Sequence, residues 1–451
     1  MLKRLALIVL VLLVLLLGGA VLALMSVPQG HASAAPGPAP RPTESLKEVK
    51  ALMSRDAMFS ALGGQPIALS VPLQDLNAVM QDVAGRLVQG GARAELKGDA
   101  LMLQGSVPLE RTPLRLLTPL GDWANLTVSL AVRAEGPPTL QEVRVGRLSL
   151  PPGLVLWGAQ RVLDTQELLA PAQLVLAALK QVQVTDERLN VTVHWTDQLQ
   201  GQTLALVVPT EDWPRLQAYH AQVVGAMERV PQASRMGPGI PMRELLRTAF
   251  VQAQQRTMAH GLLPVTDESL PASEVAGREN RAALVAVALA ANKLSLHQLL
   301  TRVDGQEVPP LPMASVRLNG REDFAQHYTI SALMALMVGG RVADTVGLYK
   351  EMMDASKADG GSGFSFNDLA LNRAGIRLGQ RARQDAIGLQ QRLGGDEALV
   401  SDDDFIPKVD DLPEFLGRDE FVHRYGGLKD GRFLRQMQDI EDRVSALPVL
   451  K

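Results

Sequence analysis

The stretch GSGFSFNDLALNRAGIRLG, Gly361 to Gly379, decides how the C-terminal half of the chain is read. Ser365, followed three residues later by Asp368, makes a start of the capping-box kind, with aspartate where glutamate or glutamine is usual. A helix is therefore expected from Phe366. Along it Asp368, Asn372, Gly375 and Gly379 follow each other by four, three and four, a single stripe whose two glycines open a groove for another helix. Arg373 lies just off that stripe, and its guanidinium can hold a carboxylate bidentately or receive an anionic ligand.

Two more helices are expected directly upstream. In GREDFAQHYTISALMALMVGG, His327 and Ser331 are four apart and share a face of an otherwise apolar helix, Asp323 to Val338. The next helix, Val342 to Ala358, carries Asp344, Gly347, Glu351 and Asp354 at intervals of three, four and three. Glycine inside a helix costs about 1 kcal/mol relative to alanine, so Gly347 among acids points to a close approach at the backbone. The short Gly339-Gly340 connection makes these two helices antiparallel neighbours. At about 1.5 Å per residue, His327 then comes level with Glu351 and Asp354, while Asp344 stays near the turn in a structural role.

His327, Glu351, Asp354 and Asp368 are thus the candidate catalytic or metal-ligating residues, with Ser331, Asn372 and Arg373 as candidate ligand-binding residues. Three uses stay open: a buried hydrogen-bonded network, a metal site, or an acid/base pair for hydrolysis. One histidine among hard oxygen ligands suits a divalent cation such as Mg²⁺ or Mn²⁺, or Ca²⁺, better than zinc.

HYTISALMALMVGG, GLYKEMMDA and GSGFSFNDLALNRAG, together His327 to Gly379, resemble the YfiM-like family of predicted periplasmic lipoproteins, with a distant VanZ-like pattern. The resemblance implies envelope localisation and one helical unit containing Lys350, Glu351, Asp354 and Asp368, and it places Lys350 among the ligand-binding candidates. It implies no reaction. The chain departs from the family by having no lipidation cysteine and a large N-terminal region.

The chain has 451 residues, enough for more than one core. Its net charge of -3 gives no basic surface for nucleic acid, and the absence of cysteine excludes disulfides, thiolate metal sites and a cysteine nucleophile. Lys3 and Arg4 precede an apolar run from Leu5 to Met25, read as a transmembrane signal-anchor over 1–26. Cleavage near Ala32-Ser33-Ala34 is the alternative. This implies a bacterial inner-membrane protein, single-pass through residues 5–25, with a cytoplasmic N-terminus and a periplasmic bulk.

A Pro/Ala-rich linker is expected over 27–44, then a β-rich α+β periplasmic domain over 45–235. Leu126, Val128 and Leu130 alternate with polar residues, as do Leu189, Val191 and Val193. ARAELKGDALMLQGSVPL reads as a hairpin, and helices are expected near 73–87, 155–179 and 213–227. The order of these signals resembles membrane-anchored extracytoplasmic proteins whose β-rich domains hold or sense lipids. QASRMGPGIPMREL marks the boundary to a helical YfiM-like domain, 236–395, with helices over 242–260, 274–292 and 366–389.

An acidic extension, 396–451, is expected to pack on the helical domain through Phe405, Leu412 and Phe415. His220, His297 and His423 read as interface or surface residues, and Glu279, Asn280 and Arg281 as a helix cap with an ion pair or a fourth wall of the site. The fold class expected is α+β: a transmembrane helix, a β-rich exported α+β domain, then an all-α domain. No nucleophile elbow, phosphate loop, H-E-x-x-H or dinucleotide fingerprint occurs. The function expected is a cell-envelope binding, assembly or maintenance factor with an envelope protein or lipid partner. A hydrolase of an envelope lipid or peptidoglycan, metal-dependent or acid/base, is the alternative.

Overall fold

The alternating residues around Leu126 form a strand, Trp123–Ala131, in the middle of an antiparallel sheet. That sheet is part of a computed structural model describing residues 28–35, 67–87, 89–97, 100–111, 121–132, 138–146, 148–165, 168–185, 187–194, 196–231, 234, 237–262, 270–294, 296, 302–303, 306–340, 343–344, 347–348, 350–351, 355, 363–395, 401–428 and 430–451. The chain divides into two compact units, 1–200 and 201–451.

The first unit holds β1 (Pro28–Gln29), β2 (Ile67–Pro72), α1 (Leu73–Leu87), β3 (Gly91–Lys97), β4 (Ala100–Pro108), β5 (Trp123–Ala131), β6 (Thr139–Val145) and β7 (Leu148–Leu150). Strands β3 to β7 run as a meander in chain order, and β1 joins β5 beyond the end of β6. Pairing of Lys97 with Ala100 makes β3 and β4 the expected hairpin. Sheet edges attract foreign strands unless covered. Here α1 turns amides onto β3: Asn77 Nδ2 donates to the Ala94 carbonyl at 3.0 Å, and Gln81 Oε1 accepts from the Ala92 N–H at 3.0 Å.

Val107, Leu109, Ala124, Leu126, Val143 and Val145 form one apolar cluster of this unit. Next come α2 (Pro152–Thr165) and α3 (Leu169–Ala178), which replace the single helix expected over 155–179. They are followed by β8 (Leu179–Thr185) and β9 (Arg188–Val193), which build a second sheet in the order β2-β9-β8.

After α4 (Asp197–Val207) the second unit contains α5 (Trp213–Arg229), β10 (Ile240–Pro241), α6 (Met242–Gly261), α7 (Ala272–Ala291), β11 (Arg302–Val303), β12 (Gln306–Glu307) and β13 (Val316–Arg317). It continues with α8 (Glu322–Val338), α9 (Phe366–Gln384), α10 (Ala386–Gly394), α11 (Arg418–Tyr425) and α12 (Gly431–Ser445). Every residue from Ala282 to Ala291 is buried. A helix apolar all round must be enclosed, and α5, α6, α8, α9 and α10 pack around α7.

The expected fold class is overturned. Among the described residues no helix is long and apolar enough to cross a membrane, and the anchor expected over 5–25 lies outside the described residues. The chain is mixed helix and strand. Its second unit is not all-α, because β10 pairs in parallel with β13 and β11 antiparallel with β12. Strands of two residues are too short to leave an alternating pattern.

The break between units falls before α5 rather than at the proline-glycine stretch near 236. The buried face of α5, with Leu216, Tyr219, Val223 and Met227, shares one core with α6 and α7. The C-terminal segment also differs from a simple acidic wrap, since it forms α11 and α12. Phe405 and Leu412 are buried in the core as expected, whereas Phe415 is exposed. Phe421 and Phe433 instead meet Phe364 and Phe366, with Phe364 and Phe421 centroids 4.3 Å apart.

Candidate metal centre

The site grows from the packing of α8 against α9. A Cβ on Gly375 would fall 2.0 Å from the Tyr328 carbonyl oxygen, and one on Gly379 would fall 2.4 Å from that of Ala332. The glycine groove therefore seats the backbone of α8. With the helices this close, His327 and Ser331 look onto the stripe of Asp368 and Asn372. The N-terminus of α8 is fixed by Arg321, which donates to Glu414 at 2.8 Å and lies over the Phe324 ring.

The third wall is the segment after Gly340, whose described residues Ala343, Asp344, Gly347, Leu348, Lys350 and Glu351 are helical. Glu351 is 0% exposed. Its Oε1 accepts from the Lys350 ammonium at 2.9 Å and its Oε2 from the Ser365 N–H at 3.2 Å. Ser365 caps α9, its hydroxyl accepting from the Asp368 N–H at 3.1 Å. Glu351 thus takes the bond that the fourth residue of a capping box would otherwise make to the cap N–H. Asp368 is left to face His327.

His327 Nε2 lies 3.3 Å from Asp368 Oδ2, and Nδ1 lies 3.1 Å from Asn372 Oδ1. The same Oδ1 accepts from the Ser331 hydroxyl at 2.9 Å. A ring proton on Nδ1 would be accepted by Asn372 Oδ1, and Nε2 would then face the Asp368 carboxylate unprotonated. Burial holds the imidazole below its ordinary value, against the pull of the Asp368 charge, and the Lys350 ammonium adds to the lowering.

Atoms of His327, Glu351 and Asp368 lie within 4.8 Å of one another. Ligands about 2.1 Å from an ion sit about 3 to 3.5 Å apart at octahedral or tetrahedral angles. The His327–Asp368 separation already has that span. It is also longer than the 2.7–2.9 Å or so of a charge-assisted hydrogen bond.

Other candidates fall elsewhere. Asp354 lies outside the described residues, as does His297. Arg373 is turned away from the site: it pairs with Asp344 at 3.2 Å and Glu441 at 3.5 Å, and donates to the Met437 carbonyl, joining α9 to α12. Gly347 does accept a close approach, from the Asn372 amide.

Glu279 and Asn280 are neither a cap pair nor a wall of this site. Glu279 accepts from Tyr219 at 2.6 Å and Arg215 at 2.7 Å, with Arg256 at 3.3 Å, and ties α5 and α6 to α7. Asn280 bonds the Ala386 carbonyl and Gln390. His423 is exposed, while His220 is fully buried with neither ring nitrogen partnered. The role of Ser365 in holding Glu351 was not foreseen, although its capping position was the available signal.

Compared with protein-family models, curated proteins and solved structures, the chain matches none.

Proposed function

We propose that His327, Glu351 and Asp368 form a divalent-cation site and that the protein is a cation-dependent binding or assembly factor of the cell envelope. The observation that carries the cation reading is the convergence of His327, Glu351 and Asp368, whose candidate ligand atoms lie within 4.8 Å of one another, with His327 Nε2 3.3 Å from Asp368 Oδ2 and Glu351 fully buried. The ion would tie α8, α9 and the helix bearing Glu351 together, setting the shape that the unit presents to a partner. The envelope placement rests on Lys3 and Arg4 followed by the apolar run, and on the YfiM-like pattern of residues 327–379.

The test is thermal melting of chelator-treated protein with Mg²⁺, Mn²⁺, Ca²⁺ or Zn²⁺ added singly. At least one ion raises the Tm of the wild type, and Glu351→Gln and Asp368→Asn abolish that response. No shift with any of the four would overturn the site.

A second reading, metal-assisted hydrolysis, is favoured by one feature. Three protein donors leave coordination positions for water, and the His327 and Asp368 side chains keep 15% and 11% of their surface exposed. It calls for cation-dependent cleavage of envelope lipid or peptidoglycan substrates that disappears in a folded Asp368→Asn variant.

A further inference from the structure

We infer that Asn372 is the positioning residue of this centre: clamped by Ser331 and Gly347, it keeps the proton of His327 on Nδ1 and leaves Nε2 free to bind a cation. The affinity part of this inference rests on the cation reading above. The tautomer part stands independently of it.

Asn372 is nearly buried, on the stripe of α9 that faces α8. A carboxamide can be turned end for end, and its orientation decides what the neighbouring imidazole does. With Oδ1 toward His327, the ring must donate from Nδ1. With the NH₂ there instead, Nδ1 would accept and Nε2 would carry the proton, donating to Asp368 and closing the position to a metal. A hydroxyl could serve either orientation, so Ser331 alone does not choose.

Gly347 contributes the rest of the clamp. A Cβ at that position would meet Asn372 Nδ2 at 3.0 Å, so the amide NH₂ is packed directly over the helix backbone. That crowding sets the plane of the amide, and it explains a glycine between acids in a helix. Metal-binding histidines commonly donate their second ring N–H to an oxygen, which fixes the tautomer, and loss of such a partner lowers metal affinity about 10- to 100-fold. In this chain the partner is supplied by an uncharged amide.

The decisive experiment reads the tautomer in cation-free, full-length protein. Protein labelled with ¹⁵N in its histidine rings is examined by two-bond ¹H–¹⁵N correlation, the His327 signals being assigned by their loss in His327→Gln. The expected result is a protonated Nδ1 and an unprotonated Nε2. Asn372→Leu, which keeps the bulk and removes the acceptor, should move the proton to Nε2 and weaken cation binding about 10- to 100-fold. Gly347→Ala should reduce the Nδ1–H population while the far-ultraviolet circular dichroism is unchanged.

A proton found on Nε2 in the wild type overturns the inference without recourse to any variant, as does an unaltered tautomer in a folded Asn372→Leu protein. If Nδ1–H is found but no cation shifts the melting curve, the cation reading fails and the positioning role stands.

Discussion

His220 shows what one side chain can do to the stability of this fold. It sits on the buried face of α5, fully enclosed, with both ring nitrogens unpartnered, and burial lowers its pKa to about 4 from the usual 6.5. Between those values the unfolded chain binds a proton that the folded chain refuses. Stability contributed by the neutral ring is therefore complete above about pH 6.5 and is lost as pH falls toward 4. The full displacement corresponds to ~3 kcal/mol. Urea unfolding of the wild type at pH 7.5 and at pH 4.5 should show a loss of that order from this group. His220→Leu, similar in bulk and unable to charge, should lose less between the same two pH values by about that amount.

Helix pairs are where packing decides the outcome, and α8 against α9 is the closest case. Gly375→Ala places a methyl on the Tyr328 carbonyl, where neither backbone can yield cheaply, and should cost ~3 kcal/mol or more in chemical denaturation. Gly277 in α7 is the contrast, with no atom within 4 Å of a built Cβ. Gly277→Ala should therefore stabilise by ~0.5–1 kcal/mol through helix propensity.

The Asp368–Asn372–Gly375–Gly379 stripe was legible in the sequence because helical period is local, and hairpin arithmetic sufficed to bring Glu351 level with His327. Arg373 was misread because its partners Asp344 and Glu441 are 29 and 68 positions away, and an arginine beside a polar stripe looks the same whichever way it turns. Glu279 was misread for a similar reason. Tyr219 and Arg215 come from another helix about sixty residues upstream, and no local spacing announces such a meeting.

At the scale of the whole chain, the two units make different claims on the sequence. Each has apolar clusters of its own, and the second includes the C-terminal helices through Phe421 and Phe433, both almost wholly buried against Phe364 and Phe366. The acidic composition of residues 401–411 masked the part of that contribution made by Phe421 and Phe433, which lie beyond it. Removing the chain after residue 400 should leave the second unit without a cooperative melting transition, and Phe433→Ala alone should cost ~3–5 kcal/mol.

A fragment starting at Thr196 is the complementary test. Its hydroxyl accepts from the Leu199 N–H at 3.3 Å, so α4 keeps its first turn, and Leu204 and Val207 stay available to the core. Such a fragment contains His327, Glu351 and Asp368 with every residue found to orient them. It should melt cooperatively and show the same cation-induced rise in Tm as the full chain. Cooperative melting with the rise absent would mean that the first unit contributes to the site, whereas a broad, non-cooperative melt would mean that the core of the second unit is incomplete without residues before 196.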